Sequence, residues 1–435
     1  MSVIGLSLLT TLILAGSLTL NNGAGIDVDN QFQPEMIDSF PTVNDPKLKV
    51  EMVVEGLNFP SSMAFLGQDD ILVTEKNNGT VQRVINGTIQ HEPLIDLAVA
   101  TRAERGMLGI AISDINNGFD NSKKSADVYL YYTKSVIDGD SNGTARGEKT
   151  RGNYLFKYDL IDSKLTNAVQ LLNLSKHKGF AHNGGAIIIG PDKNLYIPIG
   201  DADGYSNSTN FPEHNTEAQN VIGGGSPDGT GGILTIDANG MPYANILGDS
   251  EDVMKYYAYG IRNSFGLDFD PVTGNLWDTE NGVDYGDEIN IVKPGFNSGW
   301  KKIQGMAPDV FNHSQLVNFD GKGKYSDPEF TWMYTVGPTK IKFLDSDKLG
   351  DKYKNDILVS DIKYGRIYHF ELNDKRDDLI LSGKLADKVA DSDEEDKELI
   401  FGSGFGGITD MDVGPDGFLY VLSFGKGAIY KVSPK

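Results

Sequence analysis

One kind of short β-type run recurs six times along this chain: "DILVTE" from Asp70, "DVYLYYT" from Asp127, "NLYIPIGD" from Asn194, "NLWDTE" from Asn275, "DILVSD" from Asp356 and "FLYVLS" from Phe418. β-Branched and aromatic runs bounded by Asp, Asn and Gly are strand signals. A self-similar unit every roughly 55 to 80 residues is the signature of propeller blades. Each copy is followed by a second run of the same kind, "TVQRVI" at Thr80, "NYLFKYDL" at Asn153, "GGILTID" at Gly231, "DEINIV" at Asp287, "GRIYHFEL" at Gly365 and "GAIYKV" at Gly427, so each repeat acquires a hairpin. In "GPDKNLY", "DPVTGNLW" and "GPDGFLY", Asp, Gly and Asn supply the positive-φ positions of a tight turn. Helical periodicity is scarce. The pattern predicts an all-β, six-bladed β-propeller of four-stranded antiparallel sheets over residues 46–435. "KLKVEMVVEGL", from Lys47 to Leu57, is the segment expected to pair with the last apolar run, because a closed ring has no open edges to template aggregation. Loops at one mouth of such a ring present side chains from every blade to a single ligand.

Net charge narrows the partners. At -22, the average surface repels nucleic acid and anionic headgroups and attracts cations, Ca²⁺ included. The chain has no cysteine, which removes disulfides, thiolate metal sites and cysteine nucleophiles. Val3 to Leu20 is uncharged, so residues 1–20 are expected to be a signal peptide or membrane anchor; a basic flank is missing, which leaves the uncleaved anchor open. Residues 21–45 read as a polar linker. Sequons at Asn78, Asn86, Asn142, Asn173, Asn207 and Asn312 add to the expectation of an extracytoplasmic protein, secreted or anchored at the cell surface.

Among the loops, His182 lies in the polar, glycine-rich "KGFAHNGGA", where a neutral imidazole serves as a general base or is simply a solvated side chain. Arg262 in "GIRNSFG" suits an anionic ligand or a developing oxyanion, or a structural ion pair. Asp201 and Asp203 in "GDADG", with Asp284, Asp287 and Glu288 in "ENGVDYGDE", are oxygen-rich turns suited to hard cations but without EF-hand spacing. The acidic run from Asp391 to Glu398 reads as a solvated loop, and "GGGSPDGTGG" from Gly223 lacks the lysine and following helix of a phosphate loop.

Four segments together, "AERGMLGIAI" from Ala103, "HNGGAIIIGPDKNLYIPIGD" from His182, "YGIRNSFGLDFDPVTGNLWDTENGVDYGDEINIVKPGFNSGW" from Tyr259 and "GITDMDVGPDGFLYVLS" from Gly407, resemble the glucose/sorbosone dehydrogenase family. The resemblance covers roughly Val50 to Lys435. It implies a soluble six-bladed aldose dehydrogenase that uses pyrroloquinoline quinone (PQQ) and calcium, takes a small sugar and passes electrons to an external acceptor. By resemblance, His182 is the base at the sugar's anomeric hydroxyl, Asp201 orients it, and Arg262 and Asn263 lie beside the quinone oxygens. Glu104, Asp287 and Lys363 are cofactor contacts, and "WMYTVGPT" supplies Trp332 and Thr335 to the wall over the quinone. The carbonyls of Gly282 and Val283 hold the cofactor's calcium, and Glu288 is a ligand of a separate structural calcium.

The chain departs from the family pattern at anchoring positions. Ala186, Gly407 and Thr409 stand where the family has arginines, and Val283 stands where it has proline. Lys340, Lys342 and Arg366 are the cations available in replacement. Two further readings follow from these departures: a non-catalytic carbohydrate or cell-surface binding propeller, and a calcium-dependent lactonase using metal-activated water.

Overall fold

The computed structural model describes residues 39–435 except 117–124, 142–149, 162, 178, 203–214 and 244. The expected leader, most of the linker, Asp203 and the sequons at Asn142 and Asn207 lie outside the described residues. Among those described, no helix is long and apolar enough to cross a membrane.

The strands form an all-β propeller built from six sheets, each numbered outward from the axis. Sheet I runs Pro60–Gly67, Asp70–Glu75, Thr80–Ile85, Thr88–Ile89, and sheet II runs Met107–Asn116, Ser125–Ser135, Thr150–Ile161, Lys164–Leu174. Sheet III runs Ile188–Ile189, Leu195–Ile199, Gly232–Ile236, Tyr256–Tyr259, Phe296–Asn297, Lys324–Tyr325. Sheet IV runs Ser264–Phe269, Leu276–Glu280, Asp287–Val292, Phe330–Trp332, Val389–Ala390. Sheet V runs Pro338–Phe343, Ile357–Asp361, Ile367–Phe370, Ile400–Ser403, Thr42–Val43, and sheet VI runs Ile408–Val413, Leu419–Ser423, Ala428–Pro434, Leu48–Glu55. Inner strands touch their neighbours from sheet I round to sheet VI and back to sheet I, sheet III meeting sheet IV through its second strand Leu195–Ile199, so the ring is closed.

The second strands explain why the repeat is visible in the sequence. Asp70–Glu75, Leu195–Ile199, Leu276–Glu280, Ile357–Asp361 and Leu419–Ser423 are buried at every residue, because each sheet packs against a neighbour on both faces. Strands covered on both sides read as near-continuous apolar runs rather than alternating ones. Between sheets IV and V, for example, Trp277, Phe343, Ile357 and Phe370 interdigitate, and full burial of each such side chain contributes about 1.5–3 kcal/mol.

Uniform four-stranded antiparallel sheets are not what forms. Sheet III has six strands and sheets I, IV and V have five, the fifth of sheet I being Ile95–Asp96, which pairs with Thr80–Ile85. Phe296–Asn297, Lys324–Tyr325 and Val389–Ala390 join in parallel. These two-residue additions come from long excursions that return along a blade and cover its outer edge. The stretch read as linker also ends inside the fold: Thr42–Val43 pairs antiparallel with Gly402–Ser403. The segment expected to close the ring does so, with Leu48–Glu55 pairing along Ala428–Pro434 from Leu48↔Pro434 to Glu55↔Ala428.

A chain beginning at Leu57 would leave the Ala428–Pro434 edge open. Its Tm is expected to fall by roughly 10 °C or more, with self-association on size-exclusion chromatography. An unchanged Tm and a monodisperse monomer would contradict the closure.

Candidate active site

Within each sheet the first strand's entry and the second strand's exit lie on the same side, because the two are antiparallel. Glu104, Arg262, Asn263 and Gly407 immediately precede first strands, and Asp201, Gly282 and Lys363 immediately follow second strands. His182 precedes Ile188–Ile189. Residues scattered over more than two thirds of the sequence therefore meet at one mouth.

Asp201 is the centre of this arrangement. Its carboxylate is 1% exposed. Oδ1 lies 2.7 Å from His182 Nδ1, and Oδ2 accepts from the indole Nε1 of Trp300 at 2.9 Å. Its backbone N–H donates to the Arg262 carbonyl at 2.8 Å. One residue thus ties the His182 loop, the entry to sheet IV and the turn after Phe296–Asn297 together. Gly200 makes the approach possible: a Cβ there would lie 2.7 Å from both the Arg262 carbonyl and His182 Cβ.

His182 is held in the left-handed region at φ 54, a conformation uncommon for a residue with a side chain and maintained only when its surroundings over-determine it. Its N–H donates to the Glu104 carboxylate from the entry to sheet II. With Nδ1 committed to a carboxylate, Nε2 is the nitrogen left as a proton acceptor.

Arg262 lies across the same corner. Its N–H donates to Glu280 Oε1 at 2.6 Å, its guanidinium lies 5.6 Å from the Trp300 ring centroid, and Nη1 donates to the carbonyls of Asn281 and Gly282, both at 2.6 Å. Nε is buried and has no partner among the described residues. Burial lowers the guanidinium's pKa, and Asp201, Glu104, Glu280 and Asp287 counter that by favouring the charge. Asn263 stands beside it, its carbonyl accepting from the Asn281 N–H at 2.9 Å.

Several expected contacts have other work. Asp287 is fully buried, accepting from the N–H groups of Gly282, Val336 and Gly337 at 2.6–2.8 Å, so it clasps two mouth loops rather than facing a ligand. Burial lifts its pKa to about 6 against those three donors. Trp332 cannot cover a quinone: it is fully buried with Phe330, Tyr368 and Phe370, and its Nε1 donates to Asp396. Phe330 and Trp332, two apart on one strand, both face the core. Lys363 Nζ donates to the Thr335 carbonyl at 2.8 Å, which brings both residues to the mouth. The Val283 N–H donates to Gln304 Oε1 at 3.3 Å.

The replacement cations are spent elsewhere. Lys340 pairs with Asp410 at 3.3 Å, Lys342 with Asp268 at 3.3 Å and Asp412 at 3.1 Å, and Arg366 with Asp393. Both lysines line an axial cavity of about 400 Å³ whose wall also includes Ala186 and Thr409. Thr409 Oγ1 donates to the Pro60 carbonyl.

Behind the mouth, sheet IV holds a carboxylate cluster. Glu280 and Glu288 face each other across the ladder, and Asp278 faces Asn290. Ser298 Oγ donates to Glu280 at 2.6 Å, and the Gly305 N–H donates to Glu288 at 2.7 Å. Both Asp278 oxygens and Asn290 Oδ1 are buried without a well-formed hydrogen bond among the described residues, although Ser264 and Asn290 lie close enough to Asp278 to offset part of its burial. Burial drives the Asp278 pKa up to about 7 and raises those of Glu280 and Glu288, each also raised by its acidic neighbours. Buried carboxyl oxygens that lack a well-formed hydrogen bond, as at Asp278, fit a hard cation such as calcium.

Trp300 and Gly200 are the site residues that motif reading missed. Trp300 lies at the end of the "FNSGW" stretch, where Gly299 at φ 103 supplies the turn signal.

The chain is similar to proteins of one family. The family model described as Glucose / Sorbosone dehydrogenase matches residues 57–431. The aldose sugar dehydrogenase YliI of Escherichia coli is 26% identical over 395 residues, 89% of this chain and 93% of the relative. The quinoprotein glucose dehydrogenase B of Acinetobacter calcoaceticus is 26% identical over 287 residues, 62% of this chain and 56% of the relative. Among solved structures, the PQQ-bound aldose sugar dehydrogenase of Streptomyces coelicolor superposes with a TM-score of 0.59 at 22% identity, covering 90% of this chain and 99% of that one.

The carboxylate cluster sets a pH dependence. Below about pH 4 these groups are protonated in both states. Between about pH 4 and 7 the unfolded chain releases protons that folded Asp278 retains, so cation-free protein loses stability as pH rises. In chelator, Tm is expected to fall across that window, less steeply in Asp278→Asn. A Tm independent of pH in both proteins would contradict the cluster's protonation.

Proposed function

The chain belongs to the glucose/sorbosone dehydrogenase family, and we propose from its mouth geometry that it oxidises an aldose at the anomeric carbon to the lactone, using PQQ and calcium. The observation that carries this reading is the buried relay Trp300–Asp201–His182, with the Arg262 guanidinium lying over the same Trp300 ring. We read the six sheets as six blades, with the sugar entering their common mouth.

An alcohol gives up its C–H hydride readily only when its O–H proton is drawn off as well. His182 is the group that takes that proton, on Nε2. Asp201 keeps the other ring proton on Nδ1 and stabilises the imidazolium that forms; Trp300 fixes the far oxygen of Asp201 so the carboxylate cannot rotate away. Glu104 restrains the His182 backbone. PQQ, when bound, supplies the hydride acceptor that no side chain can provide.

The residues present fit an anionic ligand of that kind in part. The orphaned Nε of Arg262, Asn263 and the Lys363 ammonium are the groups that would hold it, while Ala186, Gly407 and Thr409 contribute no charge. Each missing arginine–carboxylate contact removes roughly 1.5–3 kcal/mol, so weak cofactor retention is expected. Calcium has two places of different character. In the cluster of Asp278, Glu280 and Glu288 the Asp278 oxygens are the ones not already taken by a well-formed hydrogen bond, and we assign Glu288 to that structural site. At Gly282 and Val283 the Arg262 guanidinium already occupies the Gly282 oxygen, so a cation there competes with Arg262 and enters with a ligand that draws the guanidinium away.

We place the enzyme outside the cytoplasm, handing electrons to an external acceptor. The absent arginines favour a second reading, a propeller that binds carbohydrate without turnover.

Full-length protein supplied with PQQ and Ca²⁺ is expected to reduce a dye with aldoses. His182→Ala should fall to near background, and Asp201→Asn should lose roughly 10³–10⁴-fold in kcat, as for a base left in the wrong tautomer. Saturable PQQ absorbance changes without turnover would favour the binding reading, and lactone hydrolysis indifferent to PQQ would overturn both. Trp300→Phe is expected to lower kcat about tenfold with KM little changed; a change confined to KM would assign Trp300 to sugar binding instead.

A further inference from the structure

Three sheets repeat one diagonal ion pair, and in one of them the fixed positive charge is missing. In sheet I, Asp70 opens the second strand, and Arg83, opposite Leu72 on the third, donates to it from Nε and Nη2 at 2.8 Å. In sheet II the same diagonal joins Asp127 to Lys157, opposite Tyr129, at 2.9 Å. There a second carboxylate, Asp159, lies directly across the ladder from Asp127, so one ammonium serves two acids. Sheet V reproduces this triad position for position. Asp356 precedes the second strand, His369 lies opposite Leu358, and Glu371 stands one step beyond the Ile357↔Phe370 pair, across from Asp356.

The lysine of sheet II has become a histidine while both acids remain. His369 Nε2 lies 2.8 Å from Asp356 Oδ2, and the ligand atoms of Asp356, His369 and Glu371 all lie within 4.8 Å of one another. Like charges directly opposite on a ladder are destabilising, and a neutral imidazole supplies a hydrogen bond without the compensating charge. Among the described residues, no Lys or Arg forms an ion pair with Asp356 or Glu371. Tyr353 packs its ring against the His369 ring at 5.0 Å, limiting how that imidazole can turn.

We propose that Asp356, His369 and Glu371 bind a divalent first-row transition ion of the zinc class. One imidazole and two carboxylates suit zinc, cobalt or manganese, whereas calcium and magnesium prefer all-oxygen sites. Asp356 and His369 are half-buried and Glu371 is exposed, so water can complete the coordination. Closing the ligand atoms onto one ion at about 2.0–2.2 Å needs only a small movement, which exposed Glu371 can make. The ion joins the second and third strands of sheet V as Arg83 and Lys157 do in sheets I and II. This site lies in an outer hairpin and does not depend on the reading of the mouth.

Chelator-stripped full-length protein is titrated with ZnCl₂ by calorimetry and with CoCl₂ by visible absorbance. One equivalent is expected to bind through this triad and raise Tm. His369→Lys, which restores the sheet II arrangement, should keep the metal-free Tm and weaken affinity by more than about 100-fold; Glu371→Gln should weaken it about 10- to 100-fold. His182→Ala should leave the isotherm unchanged. No zinc or cobalt binding by the unaltered protein, or an isotherm unaffected by both His369→Lys and Glu371→Gln, would overturn the site.

Discussion

A single buried carboxylate, Asp201, holds three stretches of chain spread over more than a hundred residues of sequence. Its two oxygens take the imidazole of His182 and the indole of Trp300, and its N–H takes the Arg262 carbonyl. Charged oxygens out of water are costly unless every lone pair finds a donor. That requirement fixes the ring's orientation and leaves one nitrogen with nothing to do but accept a proton. The left-handed backbone at His182 and the missing Cβ at Gly200 are the local concessions that bring the three segments together.

Charge is distributed unevenly around this corner. The chain is strongly acidic overall, and most of the cations described above are consumed by carboxylates along the blades, as with Lys342 between Asp268 and Asp412. At the mouth, Arg262 and Lys363 instead donate to backbone carbonyls. A carbonyl neutralises a cation less than a carboxylate does, so Arg262 and Lys363 are positive groups to which an anionic ligand is drawn. The same logic makes the sheet IV acids conspicuous: three carboxyl groups share one interior with hydroxyl, amide and backbone donors but no lysine.

How much of this was legible depended on burial. The repeat stood out because second strands such as "DILVTE" are covered on both faces, which writes them as unbroken apolar runs. The strands Phe296–Asn297 and Val389–Ala390 did not, since two residues laid along an edge carry no period. The mouth histidine and arginine were readable as polar residues set in glycine-rich turns. Trp332 was misplaced because an aromatic residue near a mouth loop looks the same in sequence whether it faces ligand or core; its i, i+2 partnership with Phe330 was the available clue. Trp300 was overlooked because its role is a single indole N–H, and that depends on where Asp201 lies in space.

The proposed chemistry requires Asp201 to keep the proton on Nδ1 of His182. ¹⁵N NMR of histidine-labelled protein, with His182→Gln to assign the resonance among the six histidines, reads that tautomer directly. At neutral pH a protonated Nδ1 and an unprotonated Nε2 are predicted. A neutral ring carrying its proton on Nε2 would contradict it, because Nε2 would then have no lone pair to accept the sugar's proton.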